Sequence, residues 1–286
     1  MKCVSSRFSS MLLALLILCS PTVHAVTITL GTIEESPQKG IAEFQPLADH
    51  LKSQLGIEKH IKFEVVVLSS LIDMKNALKS GIVDIYIDSP LSVENACSGN
   101  ICDITLRRWK KGVEKYHSVI FSRKDSGINT EQDLVEKTIA FEEPFSTSSF
   151  LLPKASLQAC CNISLTEKAE GSSGYVFSED DENTMIWVIR RKIDAGAMSE
   201  ASYNKLAKKR VKDLHIIHRT ITVPRHVVSM RTGMVDEHRE MIIELLSNMH
   251  KSEAGKSVLK RFKKTVKFDA ISEQEKKKIA TIAKNL

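Results

Sequence analysis

Apolar residues fall into two alternating rhythms along this chain. "TITLG" (27–31) is a β-rich run, and after Ser36-Pro37 the positions Ile41, Phe44, Leu47, Ala48, Leu51 and Leu55 recur at helical spacing until Gly56. "IKFEVVVL" (61–68) returns to strand character. Ser70 with Asp73 then opens a helix carrying Leu71, Met74 and Leu78, which Gly81 ends, and "VDIYI" (83–87) is a third strand. This β-α-β-α-β order predicts an α/β fold with mostly parallel sheets, because a parallel crossover needs a helix-length connection.

The rhythm repeats in a second block. "YHSVIFSRKD" (116–125) is extended, "KTIAF" (137–141) is a strand, a helix begins near Ser148, and "KIDAGAM" (192–198) echoes "GIVDIYI" of the first block. Residues 116–125 and "LHIIHRTITVPRHVVSMR" (214–231) are long extended stretches that bracket the block. Asp236 can cap a helix bearing Met241, Ile242, Leu245, Leu246 and Met249, and Ser272 with Glu275 forms a capping box. No Pro/Gly/Ser-rich linker separates the blocks. That organisation suits two lobes joined by crossing strands: residues 26–115 with 222–286 as the first lobe, and 116–221 as the second.

The N-terminus changes where the protein is expected to work. Lys2 and Arg7 precede the apolar run Met11–Leu18, followed by Ser20-Pro21 and Val23-His24-Ala25. This is the layout of a signal peptide cleaved after Ala25, too short to span a bilayer as a helix of about 20 apolar residues. A retained N-terminal anchor is the alternative. The net charge of +6 falls to +4 once Lys2 and Arg7 leave with the leader, too little to argue for nucleic acid. The Lys-rich C-terminal stretch (Lys256, Lys260, Arg261, Lys263, Lys264, Lys267 and Lys276 to Lys278) reads as a solvated face, with a docking surface for a membrane partner as the alternative.

Export also bears on the cysteines that remain, Cys97, Cys102, Cys160 and Cys161. An oxidising compartment favours disulfides. Cys97 and Cys102 flank the turn-forming Ser98-Gly99-Asn100 and are expected to pair. Cys160 and Cys161 are adjacent, a bond between them would be strained, and their pairing stays open. Neither pair has the two-residue gap of a metal site, so no metal or cofactor is expected.

The densest chemistry lies in "EEPFSTSSFLLP" (142–153), where Ser146, Thr147, Ser148 and Ser149 crowd one strand-to-helix junction. Ligands of open α/β sheets sit beyond the carboxyl ends of strands, and helix N-termini present unpaired N–H groups that attract anions. Four hydroxyls there can cradle an oxyanion. They can equally be an N-cap with polar neighbours, since a cap needs only one such residue. Enzyme signatures are weak: Gly171-Ser172-Ser173-Gly174 lacks the spacing of a nucleophile elbow, there is no H-E-x-x-H, and Gly255-Lys256-Ser257 lacks the first glycine of a phosphate loop. His215 and His218, three apart on a strand, should face opposite ways and chelate poorly.

The segment "EEPFSTSSFLLP" resembles the Ser-Thr-Ser signature of periplasmic phosphonate-, phosphite- and phosphate-binding proteins of ABC transporters. "FQPLADHLKSQLG", "YHSVIFSRKDSGINTEQDLVEKTIAF" and "KIDAGAMSEASY" extend the resemblance over nearly the whole mature chain. The resemblance implies a two-lobed periplasmic solute-binding protein, a monomer without catalysis, that closes on a small oxyanion and is recognised by a membrane permease. A sensory protein feeding a membrane receptor kinase, or a binder of a different small anion, is the alternative. It also implies that Ser146, Thr147 and Ser148 bind phosphonyl-type oxygens. Ser149 stands where the family usually has glycine. The first lobe's usual Gly-Pro-x-x-Tyr reads Ser89-Pro90-Leu91-Ser92-Val93, which keeps the proline but lacks the ring, with Ser89 expected at the ligand. Asp181 occupies a common histidine position, which suits a ligand with an amine; Asp180, Asp181 and Glu182 also read as the acidic first turn of a helix.

Overall fold

The computed structural model describes residues 26–56, 60–167, 174–208 and 212–286. The signal-peptide reading falls on residues 1–25, outside the described residues. Strand β1 (Val26–Ile33) leads into helix α1 (Pro37–Leu51), whose N-terminus is capped by the Ser36 side chain. Next come β2 (Ile61–Leu68), α2 (Leu71–Ser80), β3 (Ile85–Asp88) and α3 (Pro90–Cys97). Ser70 caps α2, and Gly81 ends it at φ 78°, a left-handed conformation that costs glycine little. Strand β4 (Cys102–Lys110) completes the first run.

The chain then crosses through β5 (Lys115–Tyr116) to β6 (Ser118–Arg123) and β7 (Thr138–Phe141). A short wide-helix turn, Thr147–Leu151, runs into α4 (Leu152–Cys161), followed by β8 (Gly174–Phe177), α5 (Asp181–Ile189), β9 (Ala195–Ser199), α6 (Glu200–Ala207) and β10 (Leu214–Arg219). It returns through β11 (Val223–Pro224) to β12 (His226–Arg231), α7 (Asp236–Asn248), α8 (Glu253–Arg261), β13 (Thr265–Ala270) and α9 (Glu273–Ala283). The capping box of Ser272 and Glu275 starts α9 as the sequence indicates.

Two sheets form two lobes. The first has the order β13-β4-β12-β3-β1-β2 and the second β10-β6-β9-β7-β8, while β5 and β11 pair with each other between them. The parallel character lies in the βαβ halves: β2-β1-β3 and β8-β7-β9 are parallel. The remaining neighbours are antiparallel, because β12 and β6 belong to chain segments that have just crossed between lobes and run back along the sheet. Both sheets are therefore mixed. Close packing of α5 onto β9 is fixed at Gly196, where a Cβ would stand 2.6 Å from Thr184 Cγ2.

One buried apolar cluster runs through both lobes, joining Leu91 and Val93 of α3 to Phe141, Phe150 and Leu151 around the hydroxyl junction. Within it Phe150 packs its ring on Phe141, Tyr175 and Phe177, with centroids 5.0–5.1 Å apart. These contacts fix the turn that carries the hydroxyls. Cys97 and Cys102 are joined across the turn between α3 and β4, as expected from the sequence. Cys160 and Cys161, left open by the sequence, are also joined, at the C-terminal end of α4. A bulge between Ile216 and His218 breaks the alternation of β10. Both histidines consequently reach the 128–131 segment, His215 at the Ile128 carbonyl oxygen (2.7 Å) and His218 at Glu131 (2.8 Å), rather than facing opposite ways.

Candidate functional site

The parallel strands of both sheets end at one place. Asp88 closes β3, Glu34 follows β1, Glu142 follows β7, Asp181 opens the helix after β8, and Ser199 closes β9; all five line a cavity of about 680 Å³ between the lobes. Crevices at the carboxyl ends of parallel strands are where helix N-termini converge. Here α3, the Thr147 turn, α5 and α6 all begin at the cavity, and each start contributes unpaired N–H groups.

The cavity brings together Ser89, Ser146, Thr147, Ser148 and Asp181 of the residues singled out in the sequence. Their hydroxyls are not equivalent. Ser146 is the cap: its Oγ accepts from the Ser149 N–H (3.2 Å) and donates to Glu142 (2.8 Å). Ser149 is fully buried, lies off the cavity lining, and donates its hydroxyl to Asp181 (2.9 Å). Thr147 Oγ1 accepts from the Leu91 N–H at 3.3 Å and has the buried Tyr116 hydroxyl as a neighbouring acceptor. Ser148 makes no side-chain hydrogen bond among the described residues. The cap reading applies to Ser146, which starts the turn, and Ser148 keeps its hydroxyl without a partner among the described residues.

Ser89 sits at the N-cap of α3 without a cap bond, sharing a 3.0 Å hydrogen bond with Ser92. Ser92 donates to the Phe145 carbonyl oxygen (2.6 Å), so α3 and the hydroxyl turn are tied across the lobes. Val93, where the family motif would bring a ring, is buried in the core. Asp181 lies in the first turn of α5, whose cap is Asp180, its side chain accepting from the Asn183 N–H at 2.6 Å.

The cavity's charge lies outside the sequence expectations. Its first-lobe floor holds Arg108, Lys110, Arg225, His226, Lys263 and Lys264. Two-residue alternation puts Leu106, Arg108 and Lys110 on one face of β4, and His226 of β12 pairs in register with Arg108. Arg108 is 1% exposed, donates to Thr265 Oγ1 (2.8 Å) and the Lys263 carbonyl oxygen (3.3 Å), and lies over the Phe262 ring. Burial pulls its pKa down to about 9, so it stays charged at neutral pH. Lys110 is pulled to about 7, first by burial and then by the neighbouring Arg108, Arg225 and Lys263. Burial, reinforced by the same cations, holds His226 well below the ordinary histidine value, and its Nδ1 has no partner among the described residues. Arg225 lies over the Tyr116 ring, and Lys263 pairs with Glu43 at 2.8 Å. Lys263 and Lys264, read in the sequence as part of a solvated face, therefore turn toward the cavity. Both adopt positive φ (48° and 54°) just after α8.

The opposite wall is acidic. Burial, then Glu142, Glu35 and Glu34, push Glu143 up to about 7, while Lys39 opposes the shift. Burial and Asp181 also raise Glu142. A signal for the basic floor did exist: in "CDITLRRWK" the alternating positions Ile104 and Leu106 are followed by Arg108 and Lys110, cations on an otherwise apolar phase.

Residues 32–275 match the family described as the periplasmic substrate-binding protein of phosphonate ABC transporters. The chain belongs to this family. Its members are periplasmic substrate-binding components of transporters, not enzymes. The phosphonates-binding periplasmic protein of Escherichia coli (strain K12) is 24% identical over 276 residues, covering 91% of this chain and 78% of that one. Among solved structures, XAC2383 from Xanthomonas citri bound to ATP aligns with a TM-score of 0.79 at 24% identity, covering 91% of this chain and 96% of that one. PhnD1 from Prochlorococcus marinus, in complex with methylphosphonate, aligns at 0.65 and 18% identity, covering 91% and 98%. At these identities the structural likeness establishes the fold. Among the described residues no helix is long and apolar enough to cross a membrane.

A second polar constellation lies away from the cavity. Ser156 Oγ lies 2.7 Å from His218 Nε2, and His218 Nδ1 lies 2.8 Å from Glu131, the bonding order of a hydrolase triad. Ser156 stands in the interior of α4 rather than on an exposed turn, and none of the three lines the cavity. The arrangement ties α4 to β10 and the 131–134 turn, a packing role.

The unequal hydroxyls give opposed mutational signatures. Ser146→Ala should lower apo stability by about 1 kcal/mol, the value of a lost N-cap. Ser148→Ala should leave the melting temperature nearly unchanged and weaken methylphosphonate binding about ten- to a hundredfold, since a charge-assisted hydrogen bond contributes roughly 1.5–3 kcal/mol. Calorimetric affinity and thermal melting of both variants check this pairing. The titrating groups give a second test. Below pH about 7 folded Lys110 must carry its charge, and the penalty fades as pH rises towards the ordinary lysine value. Glu143 behaves inversely, its penalty growing as pH rises from the ordinary carboxylate range through about 7. Melting curves should therefore show Lys110→Gln gaining most over the unmodified protein at pH 6, and Glu143→Gln gaining most at pH 8.

Proposed function

We infer that the protein is the substrate-binding component of an ABC uptake system for a small phosphonyl or phosphoryl oxyanion. The observation that carries this reading is a single cavity between the lobes, with donor hydroxyls and helix N-termini on one wall and buried cations on the other. Thr147 and Ser148 donate to the oxyanion, while Ser89, whose proton goes to Ser92, shapes the wall at the start of α3. Ser146, Ser149 and Asp181 order the turn, with Asp181 and Glu142 facing any amine the ligand carries. The E. coli relative is named for phosphonates and PhnD1 holds methylphosphonate, which supports the ligand class.

The lobes of this reading are residues 26–115 with 222–286, and 116–221, hinged at the paired crossing strands β5 and β11. Ligand contacts on both walls select the closed arrangement, which a membrane permease recognises. Export through a signal peptide cleaved after Ala25 places the binding protein in the periplasm. Cations and hydroxyls drawn from different lobes can act on one ligand only when the lobes meet, so closure and binding are one event. Small-angle scattering checks this: saturating methylphosphonate should shrink the radius of gyration, and identical profiles with and without it would count against closure.

A further inference from the structure

The floor of the cavity carries more positive charge than a single small oxyanion needs. Arg108, Lys110, Arg225 and Lys263 act on one another there, and the carboxylates among them are Asp88 and Glu43. Glu43 already pairs with Lys263, and Asp88 accepts from the Ser89 N–H and the Tyr86 hydroxyl. Arg108, Lys110 and Arg225 are left with no carboxylate bonded to them among the described residues. Buried charge is costly unless paired, and Arg108 is 1% exposed. His226, 6% exposed and lining the same cavity, keeps an unpartnered Nδ1. A group that accepts hydrogen bonds and carries negative charge would satisfy all of these at once.

Space points the same way. A cavity of about 680 Å³ lies within the range of sites for drug-sized ligands, about 300–1,000 Å³. Methylphosphonate, with five heavy atoms, would leave most of it to water. The hydroxyl turn and the basic floor belong to different lobes, one following β7 and the other built from β4, β12 and the Lys263–Lys264 turn. The cavity therefore has two distinct donor sets.

We propose that Arg108, Lys110, Arg225 and His226 form a second anion subsite, and that the ligand is a diphosphate-class compound. One phosphoryl group rests on Thr147 and Ser148, and the adjoining one on the basic floor. This rests on the reading of the protein as an oxyanion-binding component and narrows its ligand class. The negative charge of a diphosphate offsets the unpaired cations, where a lone phosphonate at the hydroxyl turn would leave them uncompensated. Guanidinium forks at Arg108 and Arg225 suit the paired oxygens of a phosphoryl group.

Calorimetry on the mature protein at pH 7.5 and fixed physiological salt tests the proposal, with methylphosphonate and inorganic pyrophosphate as probes. Pyrophosphate should bind at least about tenfold more tightly. Lys110→Gln, at a half-buried position with no ion pair to break, should weaken pyrophosphate binding at least about tenfold more than it weakens methylphosphonate binding. Equal affinity for the two probes would overturn the second subsite, as would an equal loss for both in Lys110→Gln, which would mean one shared anion position; either result leaves the oxyanion-binding reading standing. Binding of neither probe would overturn both.

Discussion

Arg108 is held in the cavity floor by a threonine hydroxyl, a backbone carbonyl and an aromatic face, none of which neutralises it. A guanidinium does not shed its proton at neutral pH, so the charge must be tolerated by the fold or answered by a ligand. Much of the surrounding arrangement follows from this. Burial, reinforced by Arg108 and the other cations, pushes Lys110 towards neutrality and keeps His226 neutral. Lys263 accepts from Arg108 at its backbone carbonyl and pairs its ammonium with Glu43. The acidic wall opposite, Glu142, Glu143 and Asp181, gives the cavity a strong internal polarity.

The hydroxyl turn works within that field. Its position is set by packing: Phe150 wedges among Phe141, Tyr175 and Phe177, and Thr147 and Phe145 are bonded to the first turn of α3. Division of labour among the four hydroxyls follows from which acceptors are nearby. Glu142 accepts a hydrogen bond from Ser146 and Asp181 accepts one from Ser149, so the two carboxylates fix the turn while Ser148 keeps its donor free. A chain of the same family with glycine after the Ser-Thr-Ser run lacks the bond that holds Asp181 here.

Local rules made most of the fold readable in the sequence. Ser70 and Ser272 cap helices where spacing placed them, Gly81 ends α2, and the crossing stretches run between the sheets, whereas Asp236, expected as a cap, lies in the first turn of α7 behind Val235. The antiparallel halves of the sheets were not readable, because pairing of β12 with β3 and β4 links residues more than a hundred positions apart. Neither was the bulge in β10, which a single extra residue creates and which turns His218 to the same side as His215. The hydroxyl half of the site stood out because it is contiguous in the chain. The basic half is assembled from β4, β12 and a turn after α8, each contributing one or two cations that look like ordinary surface charge until the sheet is formed. Tertiary pairing, rather than any local motif, makes them a site.

The central claim is that an oxyanion is held between the lobes by the free hydroxyls of the 146–149 turn. A crystal structure of the methylphosphonate complex measures this directly. The account predicts phosphonyl oxygens within hydrogen-bonding distance of Ser148 Oγ and Thr147 Oγ1, in the cavity that also contains Arg108 and Arg225. A phosphonate bound elsewhere, or lying in the cavity with both hydroxyls uncontacted, would contradict it.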